Sequence, residues 1–205
     1  AVFDFFGSSN TVTDKEHVVS KEDKELRRIK KYKDFTVAFE DMKKNGVPIS
    51  LITYKILLQR CSSMNRIADA ELYFNEMKLN NIEPDIFTYN ILINMYGKND
   101  YFDTVVEYLN EMKSNNIKPD VITYSTLIVA YGKNADFNKV EAVFNEMKSN
   151  NIEPNGVMYN TLITLYGKND DFDKVEEIIN EMESNEIVPY HVLRRTINRV
   201  KKKDF

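Results

Sequence analysis

Five methionines, Met42, Met77, Met112, Met147 and Met182, stand 35 residues apart in this chain of 205. Four prolines, Pro84, Pro119, Pro154 and Pro189, keep the same period, as do Tyr54, Tyr89, Tyr124 and Tyr159. The tetrapeptide Tyr-Gly-Lys-Asn opens at Tyr96, Tyr131 and Tyr166. A fixed period of this length means one supersecondary unit repeated in tandem, and it constrains the fold more than any other feature. Four full units run 51–85, 86–120, 121–155 and 156–190.

The unit 86–120 shows what each repeat builds. Tyr89, Leu92, Ile93 and Tyr96 fall on one face of a helix, at i, i+3, i+4 and i+7. Gly97-Lys98-Asn99-Asp100 reads as a turn, with the glycine as the helix stop. Phe102, Val105, Val106, Leu109 and Met112 form the stripe of a second helix. Pro119 lacks a backbone donor and blocks continuation, and Asp120 suits the cap of the next helix. Each unit is a helix hairpin of roughly 12 plus 14 residues, near the usual helix length. A lone hairpin leaves its apolar stripes in water, whereas stacking buries them in one continuous core. The pattern predicts an all-α chain, a right-handed α-solenoid of stacked helix-turn-helix repeats. The recurring Met, Tyr and Leu positions are its core.

The ends continue the pattern more weakly. Residues 17–50 read as a degenerate N-terminal repeat or cap. A charged helix is expected around Lys24 to Lys31, and 33–42 match a second helix. Residues 1–16 show no periodicity and read as an arm. Residues 191–205 read as a capping helix, His191 to Val200, followed by the basic tail Lys201-Lys202-Lys203, either solvated or touching phosphate.

Several function classes find no support in the sequence. No apolar run approaches the ~20 residues of a membrane-spanning helix. His17 and His191 lie at opposite ends, and no His/Cys cluster has metal-ligand spacing. Phosphate-cradling glycine loops and nucleophile elbows are missing, so no enzyme activity, cofactor or metal is predicted. Cys61 reads as a small residue packed near a helix end rather than as a reactive thiol.

Charge is distributed unevenly. The net charge is −4, yet the first-helix segments 51–63, 86–98, 121–133 and 156–168 hold Lys55, Arg60, Lys98, Lys133 and Lys168 and no acid. One face is therefore expected to be neutral to positive and the other acidic. Burial alone explains the missing acids. A lysine recurring at one register point fits a groove that holds a nucleic-acid backbone.

The strings ITYKILLQ from Ile52, FTYNILINMYGKND from Phe87, ITYSTLIVAYGKNADF from Ile122 and VMYNTLITLYGKNDDF from Val157 resemble the pentatricopeptide repeat family. The 35-residue period separates it from tetratricopeptide repeats, which run at about 34. The resemblance covers about residues 33–200. It implies binding of single-stranded RNA in a mitochondrion or plastid, one base per repeat. By the same resemblance, the fifth and last residues of each unit choose the base. Asn90 with Asp120 resembles the pair that prefers uracil, and Ser125 with Asn155 the pair that prefers adenine. Lys55 with Asp85 and Asn160 with Tyr190 depart from the familiar pairs. Ile52, Phe87, Ile122 and Val157 match the position that sandwiches bases, and Lys98, Lys133 and Lys168 one that approaches phosphates. The expectation is a short U-A step (5′ to 3′), bound weakly by the chain alone and strengthened by other protein subunits of an organellar assembly. The competing expectation is a helical scaffold in such an assembly, with little or no RNA binding.

Overall fold

The computed structural model describes residues 19–188, and among them are ten α-helices and no strand. The chain divides into two compact units, the first ending at Ile56 and the second beginning at Leu57. The predicted arm, the basic tail and the capping helix from His191 lie outside the described residues.

The first unit contains α1 (Lys21–Arg28), α2 (Tyr32–Lys44) and the start of α3 (Leu51–Ser63). Helix α1 lies a few residues earlier than the expected 24–31. The Ser20 side chain sets its start by accepting from the Asp23 backbone N–H at 2.9 Å. Leu26, Phe35, Phe39 and Met42 are buried. Tyr54 meets Phe39 edge to face, with ring centroids 6.2 Å apart. The buried Asp23 carboxylate accepts from the Thr53 hydroxyl at 2.9 Å, so its desolvation is partly offset.

The second unit holds the rest of α3, then α4 (Ile67–Leu79), α5 (Ile86–Lys98), α6 (Phe102–Ser114), α7 (Val121–Lys133), α8 (Phe137–Ser149), α9 (Gly156–Lys168) and α10 (Phe172–Ser184). Every helix from α2 to α10 has 13 residues. Helices α5, α7 and α9 pack side by side, and each pairs with its own second helix, α6, α8 or α10.

Caps fix these boundaries. Asp85, Asp120 and Asn155 accept from the backbone N–H of Thr88, Thr123 and Met158 at 2.9, 2.9 and 3.0 Å. At the C-termini of α4, α6, α8 and α10, the N–H of Ile82, Ile117, Ile152 and Ile187 returns to the carbonyl of Met77, Met112, Met147 and Met182. This is the six-to-one bond of a helix ending through a left-handed residue. Asn81, Asn116, Asn151 and Glu186 take that conformation, with φ between 55° and 59°. The repeated Asn-Asn pair is thus a stop signal, because asparagine tolerates left-handed backbone.

The turn inside each hairpin differs from the sequence expectation. Gly97 lies within α5, and the left-handed residue is Asp100 (φ 62°), matched by Asn65, Ala135 and Asp170. Glycine suits a close approach there. A Cβ on Gly97 would lie 3.2 Å from the Ala130 Cβ, and one on Gly132 would lie 2.5 Å from the Leu165 side chain. Adjacent first helices touch at these points.

The core follows the 35-residue register. Tyr54, Tyr89, Tyr124 and Tyr159 are among the largest fully buried side chains, and Met77, Met112, Met147 and Met182 are fully enclosed. Cys61 is buried near the end of α3. In α6 the buried stripe is Val105, Tyr108 and Met112, while Phe102, Val106 and Leu109 are half-buried at its edge. Tyr108 was absent from the predicted stripe. Its ring packs edge-on against Phe74 at 5.5 Å, a contact made across the hairpin boundary.

Candidate nucleic-acid interface

The first helices of the second unit expose one stripe each. On α5 it runs through Phe87, Asn90, Asn94 and Lys98, all half-buried or exposed, while Tyr89, Leu92, Ile93 and Tyr96 point into the core. On α7 the stripe is Ile122, Ser125, Val129 and Lys133, and on α9 it is Val157, Asn160, Thr164 and Lys168. The spacing i, i+3, i+7, i+11 keeps four side chains on one helix face. Because α5, α7 and α9 lie side by side, equivalent residues form rows across them.

The row at the last turn is cationic. Lys98, Lys133 and Lys168 are exposed and make no ion pair or hydrogen bond among the described residues. The lysines of the second helices behave otherwise. Lys78, Lys113 and Lys148 reach Glu111, Glu146 and Glu181 of the next hairpin at 3.3, 2.7 and 3.2 Å. Lys174 lies 2.9 Å from Glu141 and 3.0 Å from Glu177. Although partial burial opposes its charge, these carboxylates hold its ammonium above the ordinary range. Helices α5, α7 and α9 contain no Asp or Glu, and the acids of the turns that follow, Asp100, Asp136 and Asp170, form no ion pair with these lysines among the described residues.

The next row holds the candidate base-reading residues. Asn90 and Asp120 come together: the Asn90 Nδ2 donates to Asp120 Oδ1 at 3.2 Å. That oxygen also accepts from the Thr123 backbone N–H at 2.9 Å and lies 3.0 Å from the Thr123 hydroxyl. The Thr123 hydroxyl donates to Asn90 Oδ1 at 2.6 Å. Asp120 Oδ2 accepts no hydrogen bond among the described residues.

Ser125 and Asn155 are not bonded to each other among the described residues. Ser125 Oγ donates to the Val121 carbonyl at 2.6 Å, and Asn155 Oδ1 accepts from the Met158 N–H at 3.0 Å. Asn160 turns its amide onto the Gly156 carbonyl of its own helix, and its expected partner Tyr190 lies outside the described residues. Lys55 is half-buried on the part of α3 in the first unit, whereas Asp85 caps α5 in the second. The apolar row is half-buried at Ile52, Phe87 and Val157, and Ile122 is 48% exposed.

Thr123 escaped the sequence reading. Its signal was an Asp-x-x-Thr spacing, present at Asp85/Thr88 and Asp120/Thr123 and replaced by Asn155/Met158 in the next unit. Among the described residues, no cluster of His, Cys, Asp and Glu could hold a metal ion, and no helix is long and apolar enough to cross a membrane.

A pentatricopeptide repeat domain model matches residues 29–99 and 142–193, and a PPR repeat family model matches 84–130 and 119–157. The chain belongs to the pentatricopeptide repeat family. Its pairwise helix stacking is that of the family's solenoids. The crystal structure of the pentatricopeptide repeat protein PPR10 from maize is similar at 27% identity and a TM-score of 0.74. That match covers 85% of this chain and 24% of PPR10, so the chain spans about a quarter of that protein's length. PPR10 in complex with an 18-nt psaJ RNA element matches with a TM-score of 0.69 at 23% identity, over 80% of this chain and 25% of that one. The PPR domain of Arabidopsis thaliana protein-only RNase P 1, in complex with tRNA, also has a TM-score of 0.69. It is 18% identical, and the match covers 82% of this chain and 88% of that one. At that identity the likeness concerns the fold alone. No curated protein sequence matches the chain.

Proposed function

We propose that the face formed by the first helices binds single-stranded RNA, one base per repeat over the units from 51 to 190, in an organellar RNA maturation, stability or translation role. The observation that carries this reading is the row Lys98, Lys133 and Lys168, without an ion pair among the described residues, whereas Lys78, Lys113 and Lys148 of α4, α6 and α8 are paired. Spaced cations with apolar and amide side chains beside them suit a phosphodiester backbone with its bases turned inward.

The two intact pairs present opposite hydrogen-bonding patterns. At Asn90 and Asp120 the free groups are one amide N–H and the carboxylate Oδ2, a donor beside an acceptor. A keto–imide edge with its own N–H, such as that of uracil, complements it. At Ser125 and Asn155 the serine proton is committed to its own helix, which leaves serine lone pairs as acceptor and the asparagine NH₂ as donor. The adenine edge, a ring nitrogen beside an amino group, fits that polarity. Stacking contributes on the order of 1–3 kcal/mol per base. Two discriminating repeats against the ordering cost of the RNA make for weak binding alone, so partner subunits of a mitochondrial or plastid assembly complete the affinity.

The test is a polarity swap, Asn90→Ser with Asp120→Asn, which keeps a competent cap on α7. Titrated against short single-stranded RNAs varied at two adjacent positions, the wild type is expected to prefer U then A. The double variant should prefer A at both. If no oligonucleotide binds at low salt, the scaffold reading replaces this one.

A further inference from the structure

The uracil-type pair has a third member supplied by the following repeat. We infer that Thr123 is a positioning residue: its hydroxyl fixes the orientation of the Asn90 carboxamide and thereby sets base discrimination at the Asn90–Asp120 site. The inference rests on the RNA-binding reading above.

An asparagine amide can turn end for end, exchanging donor and acceptor with little change in shape. Which atom faces the RNA therefore depends on its neighbours. The Asp120 carboxylate only accepts, so it draws the Asn90 Nδ2, seen at 3.2 Å. That single bond is long and leaves the other end loose. Thr123 removes the freedom, because its one hydroxyl proton lies closest to Asn90 Oδ1, at 2.6 Å against 3.0 Å to Asp120. Thr123 itself is fully buried, and its backbone N–H holds the same Asp120 oxygen at 2.9 Å. A closed ring results: Asn90 to Asp120, Asp120 to Thr123, Thr123 back to Asn90. It spends Asp120 Oδ1 and one end of the amide, and leaves Oδ2 and one N–H outward.

The neighbouring sites supply an internal comparison. The Thr88 hydroxyl donates at 2.8 Å to its own cap, Asp85. Where the next threonine would stand, the chain has Met158, which has no hydroxyl to offer Ser125 or Asn155. The reading unit at Asn90 thus spans two repeats: the fifth and last residues of 86–120 and the third residue of 121–155.

The experiment compares wild type, Thr123→Val and Thr123→Ser in titrations with single-stranded RNAs carrying U or C at the position read by Asn90. Thr123→Val keeps the branched shape and the backbone N–H bond to Asp120 but lacks the proton and the oxygen that accepts from the Asp120 N–H at 3.2 Å, both of which Thr123→Ser retains. Its preference for U over C should fall by about fivefold, the worth of one hydrogen bond, with the preference for A at the next position unchanged. Thr123→Ser should restore the preference. A second arm needs no substitution at Thr123. In the Ser125→Asn, Asn155→Asp background, adding Met158→Thr should raise the preference for U at the second position by a similar factor. Retention of full U preference by Thr123→Val, or no gain from Met158→Thr, overturns the positioning role while RNA binding stands. A wild type without U preference overturns both the inference and the reading beneath it.

Discussion

At the residue scale, left-handed backbone recurs in the turns within hairpins and in those between them. Ala135 holds φ 55° in a position that Asn65, Asp100 and Asp170 fill in the other repeats. A Cβ-bearing residue without a side-chain hydrogen bond disfavours that region by about 1–2 kcal/mol. Ala135→Asn should therefore stabilise the protein by roughly 0.5–1 kcal/mol, read as a higher denaturation midpoint. The buried tyrosines make a second prediction. Burial pushes the Tyr89 and Tyr159 phenols up to about 12, with Glu111 and Glu181 adding to the shift. A phenol whose folded pKa exceeds its unfolded value near 10 favours folding while neutral. That stability is complete below pH ~10 and is lost as pH rises through about 12. Helical ellipticity and phenolate absorbance followed together should change in that window, and Glu111→Gln should lower the Tyr89 transition. The period and the buried tyrosines were legible in the sequence because both are local in register. The role of Gly97 was not, since the tight contact it relieves is with Ala130 on another helix.

At the element scale, the tripeptide Glu-Met-Lys ties helices together both within a hairpin and from one hairpin to the next. Met112 is core, Glu111 accepts from the Tyr89 hydroxyl at 3.0 Å, and Lys113 bridges to Glu146 of the next hairpin at 2.7 Å. Asn115 closes the cluster by donating to the Tyr89 oxygen at 2.8 Å. The cluster recurs at Tyr124, Glu146 and Asn150 and at Tyr159, Glu181 and Asn185. The lysine ladder stops at α10, where Glu183 stands in the lysine's place. The two kinds of link should differ in weight. Lys113 and Glu146 side chains are 40% and 38% exposed, so solvent screens their pairing and Lys113→Ala should cost less than about 0.5 kcal/mol. Tyr124→Phe removes a hydroxyl bonded to both Glu146 and Asn150 and should cost about 1 kcal/mol. Denaturant midpoints of the two variants decide it, and the reverse order would give the ion pairs between hairpins more weight than the hydroxyl bonds within one.

At the scale of the whole molecule, the proposed RNA-binding role rests on a division of labour between helix faces. Lys78, Lys113 and Lys148 pair with glutamates of the next hairpin, whereas Lys98, Lys133 and Lys168 on α5, α7 and α9 form no ion pair among the described residues. The sequence announced this asymmetry, because acids are missing from whole 13-residue helices. The pairing of Asn90 with Asp120, 30 residues apart, came from the family resemblance, and the two side chains are hydrogen-bonded. The sequence could not announce that Ser125 and Asn155 each turn to their own helix, because those choices depend on rotamers that period alone does not fix.

The most direct measurement is the salt dependence of single-stranded RNA affinity for two triple variants. One carries alanine at Lys98, Lys133 and Lys168, the other at Lys78, Lys113 and Lys148. Each phosphate contact contributes about 0.7 to the slope of log affinity against log salt for single strands. The first variant should lose about 2 from the wild-type slope, while the second keeps it. Equal slopes in all three proteins, or a loss confined to the second variant, would contradict an RNA-binding face on the first helices.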